Sequence, residues 1–288
     1  MPQPSASNVI HLERAVASHY GDSGLLARLL AALAAGGADV ENLRPSDLAR
    51  LEEFHIGGRA ATAYAIDNLS LRNTDSVLDV GCGIGGAARY IADRVGCHIT
   101  GIDLTPEYID CARALTERVG LTDRVDFVVG SALAMPCAAQ SFDAVITLHA
   151  AMNIADRGRL YRDIARVIKP GGTLCIYDVM QQGQGRLRFP VPWATSEEIS
   201  HLMTPEALLV HLQENGFRIV YVENRTDFAL EFFATAMAVA DDATRSPGIH
   251  LVMGDSAKEK FQNTLDGLQR GYIAPVLVIA ERIGNTQR

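Results

Sequence analysis

The sequence predicts an α/β fold in which a doubly wound, seven-stranded and mostly parallel sheet has helices on both faces and carries an N-terminal helical cap. Two observations support this prediction. Strand and helix patterns alternate between residues 76 and 178, and such alternation indicates a parallel sheet with right-handed crossovers. The first strand pattern also ends in a glycine-rich turn that leads directly into a helix pattern. In such sheets ligands bind at the carboxyl ends of the strands.

The seven strands are predicted over 76–80, 98–102, 125–129, 142–148, 173–178, 217–222 and 273–283. Helices are predicted over 59–69, 86–95, 106–119, 157–168 and 204–215, with two more within 226–270. Residues 169–172 are expected to form a turn before the fifth strand.

Leucine-rich helical patterns precede the first strand, so residues 1–54 are predicted to form the N-terminal helical cap. Residues 55–288 are then the core, with lid segments at 181–200 and 226–270. The first lid segment is rich in Gly, Pro and Arg, and a long loop without its own pattern is usually functional. It contains Trp193, which either walls an acceptor pocket or fills a small core of the lid.

Composition limits the classes of partner. Lys and Arg number 26 against 34 Asp and Glu, which gives a net charge of -8 and a pI near 5.5. A nucleic-acid-binding surface is therefore not expected. Five cysteines are scattered without a C-x-x-C pair, so we expect reduced thiols in a cytoplasmic protein and no metal site. The N-terminus lacks the pattern of a signal peptide, and the apolar run over 25–35 is too short to insert in a membrane.

The stretch over 77–86 combines Asp79 with Gly81, Gly83 and Gly85 at a predicted strand-to-helix turn. This Rossmann-like arrangement is typical of a nucleotide cradle. Gly81, Gly83 and Gly86 also satisfy the G-x-G-x-x-G spacing of NAD-binding proteins. A carboxylate beside the loop would repel a pyrophosphate but attract the ammonium and sulfonium of S-adenosylmethionine, so Asp79 favours that cofactor.

Acidic and polar residues follow the next two strands. Asp103 should stand at the end of the second strand, where a carboxylate accepts hydrogen bonds from both ribose hydroxyls of an adenosine. It also begins the sequence Asp103-Leu104-Thr105-Pro106, which is typical of a helix cap. We predict that Asp103 and Leu104 contact the cofactor.

Residues 131–133 follow the third strand. Ser131, Ala132 and Leu133 either contact the adenine or form an ordinary turn.

Three further residues are candidates for catalysis. His149 follows the fourth strand, where it either positions or deprotonates a methyl acceptor or has only a structural role. His55 and Tyr20 lie in glycine-broken joints of the cap, where they either close over a substrate or anchor the cap.

Together these residues resemble the class I S-adenosylmethionine-dependent methyltransferases. The matching features are Asp79-x-Gly81-x-Gly83-x-Gly85, Asp103 after strand two, Ser131-Ala132 after strand three, and the segments 141–143 and 166–172. The resemblance covers residues 55–180 most strongly. Tyr20-Gly21-Asp22 and His55-Ile56-Gly57 are similar to segments of the small-molecule branch, which includes ubiquinone/menaquinone C-methyltransferases and sarcosine/dimethylglycine N-methyltransferases. Ser131 departs from the acidic residue of many members, and the position of His149 varies across the family.

The resemblance implies an enzyme that moves a methyl group from S-adenosylmethionine to a small-molecule N, O or C acceptor by in-line displacement. It places Tyr20 near the sulfonium and His55 near the acceptor. Two alternatives remain open on the sequence: an NAD-dependent oxidoreductase and a non-catalytic S-adenosylmethionine-binding module. A homodimer is compatible with the sequence.

Overall fold

The computed structural model describes residues 12–13, 24–53, 55–240 and 256–284. The helices longer than one turn in this part of the chain are α1 (Leu25–Ala35), α2 (Pro45–Glu52), α3 (Gly58–Asp67), α4 (Gly86–Val95), α5 (Pro106–Arg118), α6 (Arg157–Val167), α7 (Pro205–Glu214), α8 (Thr226–Ala240) and α9 (Ala257–Gln269). The strands are β1 (Ser76–Val80), β2 (His98–Asp103), β3 (Val125–Val129), β4 (Phe142–Leu148), β5 (Ile168–Gln181), β6 (Phe217–Asn224) and β7 (Ile273–Arg282).

All seven strands form one sheet in the order β3-β2-β1-β4-β5-β7-β6. The first five strands are parallel to one another, whereas β7 runs antiparallel to both β5 and β6. The chain leaves β1 towards β2 and β3 and later returns to place β4 on the other side of β1. This reversal opens a crevice at the carboxyl ends of β1 and β4, where sheets of this type bind ligands. The predicted fold class is confirmed.

The fifth strand begins earlier than the sequence pattern predicts. Residues 169–172, expected to form a turn, belong to β5, because Ile168 already pairs with Phe142 before the register shifts at Ala144. Gly171 has φ +78° in this irregular stretch. Its left-handed backbone lets the chain bend without leaving the sheet.

Helices cover both faces of the sheet because successive strand residues point to opposite sides. In β1, Val77 packs with one buried cluster that includes Ile91 of α4 and Ile109 of α5. Its neighbour Leu78 packs with the opposite cluster, which includes Ile164 of α6. Near-continuous apolar strands such as β4 are what a sheet buried on both faces requires.

The first two helices pack on the outside of α4 and α5. Leu29 of α1 and Leu48 of α2 join Tyr108 of α5 in one buried cluster. All five cysteines are free thiols. None of the helices in the described ranges has the length and apolarity needed to cross a membrane.

Candidate functional site

A cavity of about 520 Å³ opens at the carboxyl ends of the parallel strands. Its volume falls within the roughly 300–1,000 Å³ range of small-molecule sites. Eleven of the twelve residues predicted to bind or react lie in the described part of the chain. Ten of these line the cavity: His55, Asp79, Gly81, Gly83, Asp103, Leu104, Ser131, Ala132, Leu133 and His149. Tyr20 lies outside the described residues.

The glycine turn after β1 needs three left-handed residues. Gly81, Gly83 and Gly85 have φ angles of +78°, +53° and +84°, which side chains rarely adopt. A Cβ at Gly81 would overlap the methyl group of Ala150, and one at Gly85 would overlap the ring of Phe127. A Cβ at Gly83 would meet no protein atom within 4 Å. Gly81 and Gly85 therefore permit packing, while Gly83 leaves space beside the cavity.

Asp103 holds this turn in place. One carboxylate oxygen accepts a hydrogen bond from the main-chain N–H of Gly83 at 2.9 Å, and the other accepts from Thr105 at 2.9 Å. The second bond is the helix-cap interaction that the sequence suggests, so Asp103 joins the two loops that follow β1 and β2. Burial raises the pKa of the carboxyl group, and the two N–H donors oppose that rise.

Asp79 adds a second carboxyl group to the same wall. It is buried near the carboxyl end of β1 and lines the cavity, with only 3% of its surface exposed. Burial raises its pKa to about 7, with repulsion from Asp103 and Glu53 adding to the shift. A carboxyl group poised in this way loses its proton readily when a cation comes beside it.

The turn after β3 is held by its own side chain. Ser131 accepts a hydrogen bond from the N–H of Leu133 at 3.0 Å and donates one to Glu13. Leu133 and Ala132 line the cavity beside it. The Ser131 hydroxyl therefore already has two hydrogen-bond partners. The bond from Leu133 stabilises the turn, which is the structural alternative to a contact with the adenine.

His149 adopts an unusual backbone conformation, with φ +53°. Its main-chain N–H and its Nδ1 both donate to the carbonyl oxygen of Tyr177, at 2.7 Å and 3.0 Å. In the neutral ring Nε2 is therefore the acceptor atom, and it is buried without a hydrogen-bond partner among the described residues. Burial lowers the pKa of His149 to about 3, with His55 contributing. Non-glycine residues held in such conformations cluster at functional sites.

His55 lies beside His149, with 5.7 Å between the ring centroids. Its Nε2 donates to the carbonyl oxygen of Gly58 at 3.0 Å and lies 3.0 Å from the Thr62 hydroxyl. Burial lowers its pKa to about 4. Both histidines are thus neutral near pH 7, and His55 also anchors the joint before α3.

Two cavity-lining acids, Glu52 and Glu53, escaped the sequence-based prediction. Glu52 pairs with Arg89 at 2.6 Å and with Arg59 at 2.9 Å. Glu53 accepts a hydrogen bond from Thr62 at 2.5 Å and pairs with Arg59, while burial raises its pKa to about 6. The sequence does contain a hint of this pair, because two adjacent acidic residues shortly precede Gly57 and Gly58.

The far wall comes from the two predicted lid segments. Trp193 of the first segment is buried, lines the cavity, and donates from Nε1 to Ser200 at 3.0 Å. It also packs in the cluster that contains Phe233. Trp193 thus packs in a small core between the two segments and also lines the cavity, while its contact with an acceptor stays a prediction. Phe232, Phe233, Lys260 and Phe261 complete the wall from α8 and α9.

Asp178, at the end of β5, was also missed. Its carboxylate accepts the N–H of Ala150 at 3.1 Å and so holds the turn that carries His149. Burial raises the pKa of Asp178 to about 6, against the opposing charge of Arg157. Within the described ranges, no cluster of three or more His, Cys, Asp or Glu side chains is arranged to hold a metal ion.

The strands and loops that form this cavity are similar to those of known methyltransferases. Residues 78–176 match the family model described as a methyltransferase domain. That range begins in β1 and ends in β5, so it contains the glycine turn, Asp103, Ser131 and His149.

Several curated relatives share this region. The sterol 24-C-methyltransferase ERG6B of Gibberella zeae is 37% identical over 115 residues, which cover 40% of this chain and 30% of that protein. The methyltransferase GfsG of Streptomyces halstedii is 33% identical over 139 residues, or 48% and 49% of the two chains. The chain thus spans about a third to a half of the length of the curated relatives it matches.

Solved structures match over a larger share of the chain. A sarcosine dimethylglycine methyltransferase described as putative, from Galdieria sulphuraria, has a TM-score of 0.67 at 19% identity and covers 81% of this chain and 94% of its own. A geranyl diphosphate methyltransferase in complex with GPP and sinefungin has a TM-score of 0.70 at 18% identity, covering 94% and 100%. At these identities the likeness establishes a common fold.

Proposed function

The chain carries a class I S-adenosylmethionine-dependent methyltransferase domain, and from this premise we propose that it transfers a methyl group to a small-molecule acceptor. The observation that carries the proposal is the acidic cradle at the carboxyl ends of β1 and β2. Asp79 and Asp103 line the same cavity as Gly83, whose N–H donates to Asp103 and whose backbone borders open space. Two carboxyl groups suit a cofactor with an ammonium and a sulfonium and disfavour a pyrophosphate.

The residues present fit this cofactor. Gly83 has free space where a side chain would otherwise project, and the Asp79 carboxyl group is buried in the cavity wall with its pKa raised to about 7. In the proposed complex Asp103 accepts the ribose hydroxyls while it keeps the Gly83 turn in place. Asp79 faces the cationic end, and Leu104 and Leu133 pack against the adenine.

When bound, S-adenosylmethionine supplies a methyl group that its sulfonium already activates. The chain's own tasks are then to align the acceptor, to exclude water, and to take up a proton where the acceptor has one to lose. His149 is the proposed catalytic residue, because it lines the cavity and its Nε2 has no hydrogen-bond partner among the described residues. His55 supports the ring of His149 from the cap side. The role of Tyr20 at the sulfonium stays a prediction.

The size of the cavity beyond the proposed cofactor site distinguishes an enzyme from a non-catalytic binding module. A non-catalytic binding module is expected to fill the acceptor side with side chains. Here the cavity continues past His149 to Trp193 and Phe233, which leaves room for a second ligand. A small-molecule acceptor beneath the two lid segments is the occupant that we propose.

Calorimetry with S-adenosylhomocysteine tests the cofactor assignment. We expect saturable one-to-one binding to the folded full-length chain, and NADH at the same concentration should not displace it. Absence of binding by folded protein would overturn the proposal. Release of S-adenosylhomocysteine from S-adenosylmethionine in the presence of an acceptor panel then separates an enzyme from a non-catalytic binding module.

A further inference from the structure

The loop that follows β3 lies next to Asp103 in the cavity wall. The main-chain N–H of Gly130 donates to the carbonyl oxygen of Asp103 at 2.9 Å, so the ends of β2 and β3 are joined. The sheet order places β2 between β1 and β3. A cofactor whose ribose binds Asp103 and whose cationic end faces Asp79 therefore extends its base towards the loop after β3.

The cavity wall around this loop and Asp103 combines apolar and polar side chains. Leu12, Leu104 and Leu133 line the cavity, and so do Ser131 and Glu13. A purine has two apolar faces, while its polar atoms lie on its edge. The leucines suit the faces of the base, and the serine and the glutamate suit its edge.

Hydrogen bonds fix the shape of the loop. Ser131 accepts the N–H of Leu133 at 3.0 Å, and Arg159 of α6 donates from Nε to the carbonyl oxygen of Leu133 at 2.7 Å. A hydroxyl group has a single hydrogen to donate, and Ser131 donates it to Glu13. In this arrangement Ser131 has no further hydrogen for a ligand, and it holds the carboxylate of Glu13 at the cavity wall.

Glu13 keeps the capacity to bind a ligand. An ionised carboxylate offers about four lone-pair positions and has no hydrogen to donate. The bond from Ser131 occupies one of these positions, so Glu13 can accept further hydrogen bonds, and only from a donor. In an adenine joined to ribose the ring nitrogens are acceptors, and the 6-amino group supplies the N–H donors.

We propose that Glu13 accepts a hydrogen bond from the 6-amino group of the cofactor's adenine and that Ser131 positions Glu13 for this contact. This inference rests on the proposed methyltransferase function and assigns a specificity-determining residue to the same site. Glu13 precedes α1 and lies 118 positions before the serine that holds it. A purine with an oxygen at position 6 would place an acceptor against the carboxylate, so the contact selects adenine.

Two ligands that differ in a single group test this inference. They are S-adenosylhomocysteine and its 6-deamino analogue, in which hydrogen replaces the amino group of the base. Calorimetry measures both affinities on the full-length chain. We expect the wild type to bind S-adenosylhomocysteine about tenfold or more tightly than the analogue, because the analogue lacks the donor to a charged group. Equal affinities would overturn the inference.

The matched variant is Glu13→Ala, which removes the acceptor and should reduce the preference to about threefold or less. The control is Glu117→Ala, which replaces an exposed acid on α5 and should keep the full preference. If Glu13→Ala kept the full preference, another group would bind the amino group and Glu13 would lose its role. Should this variant not fold, Glu13→Gln takes its place, because its neutral amide accepts a weaker bond and should also lower the preference.

Ser131→Ala tests the positioning role. The variant keeps Glu13 but loses the bond that holds it, so the preference for S-adenosylhomocysteine over the analogue should fall. A loosened loop by itself would weaken both ligands by the same factor and leave the ratio of their affinities unchanged. An unchanged ratio would therefore show that Ser131 only stabilises the turn.

The proposed function and this inference fail in different ways. If the wild-type chain does not bind S-adenosylhomocysteine, the proposed function falls and the role of Glu13 falls with it. If the chain binds S-adenosylhomocysteine and the analogue equally well, only the contact between Glu13 and the amino group is overturned.

Discussion

The guanidinium of Arg89 lies 2.6 Å from the carboxylate of Glu52, and both side chains are shielded from solvent, with exposures of 0% and 1%. Arg89 also donates to the carbonyl oxygens of Ile84 and Ala112. The pair joins α2 of the cap to α4, the helix that starts at the glycine turn. A buried charge pair therefore fixes α2 to the helix that follows the glycine turn.

Removal of the arginine from the buried pair of Arg89 and Glu52 should destabilise the fold. For Arg89→Met we expect the free energy of unfolding to fall by about 3–5 kcal/mol, because Glu52 would keep a buried charge with fewer donors. Urea unfolding measures this change. The control is Arg94→Met, whose pair with Asp67 is 42% and 57% exposed and should matter little. Similar losses in both variants would contradict a special role for the buried pair.

Asp103 should matter for ligand binding more than for folding. Asp103→Ala removes both the proposed ribose acceptor and the bond that holds Gly83. Since bonds to charged groups contribute about 1.5–3 kcal/mol each, the affinity for S-adenosylhomocysteine should fall about 100-fold or more. Calorimetry provides the measurement, and Asp126→Ala on the exposed surface of β3 is the control. An affinity unchanged by Asp103→Ala would remove the ribose assignment.

Alanine substitutions at Gly83 and Gly81 should have different effects, the first mainly on ligand binding and the second mainly on the stability of the fold. Gly83→Ala places a methyl group in open space, so it should cost only about 1 kcal/mol of backbone strain yet weaken S-adenosylhomocysteine binding tenfold or more. Gly37→Ala controls for the strain, because Gly37 also has a left-handed backbone and open surroundings. Gly81→Ala should instead destabilise the fold, since its methyl group would overlap Ala150.

Thermal unfolding with and without the ligand compares these variants. If Gly83→Ala bound the ligand as the wild type does, the open space at Gly83 would not be the ligand's place.

The contribution of Asp79 to stability should fall as pH rises from about 4 to 7. Burial raises the pKa of Asp79 from 3.8 to about 7, so over this range its carboxyl group binds more protons in the folded chain than in the unfolded chain, and its share of the free energy of unfolding decreases with rising pH. His55 and His149, whose pKa values burial lowers, contribute in the opposite direction below about pH 6.5. Asp79→Asn should reduce this slope, while Glu53 and Asp178, each with a pKa raised to about 6, retain their share.

Urea unfolding at several pH values tests the slope, with Asp126→Asn as an exposed control. The ammonium of S-adenosylhomocysteine should also favour ionised Asp79, so its binding near pH 6 should release protons. Calorimetry in two buffers of different ionisation enthalpy detects the release. A slope that Asp79→Asn leaves unchanged would mean that Asp79 titrates normally.

Periodicity and turn residues were sufficient to predict the sheet. The limits of β1 and β3 agree with the pattern residue by residue, because apolar runs end there at polar or glycine-rich turns. The limit of β5 was wrong by five residues. Its early pairing with β4 depends on contacts between distant segments, which a local pattern around Gly171 does not record.

Asp79, Gly83 and Asp103, which the sequence predicts to bind the cofactor, line one cavity. They do so because each stands at or just beyond the carboxyl end of a strand of the same parallel sheet, and their role in binding stays a prediction. Glu53 and Asp178 were missed because acids at such positions are usually solvated. Their burial and their hydrogen bonds with Thr62 and Ala150 depend on how the chain packs, which side-chain type at these positions does not reveal.

The sequence by itself determined the α/β class, the strand-turn-helix cradle and the acidic character of the cofactor side. These features depend on residues within about 30 positions of one another, where spacing and side-chain type are decisive. Only the tertiary structure decided that Nε2 of His149 is buried without a hydrogen-bond partner among the described residues, that Lys260 and four aromatic rings line the same cavity, and that Glu52 of the cap pairs with Arg89. Burial and hydrogen-bond pairing arise when remote segments pack together, and no local pattern encodes them.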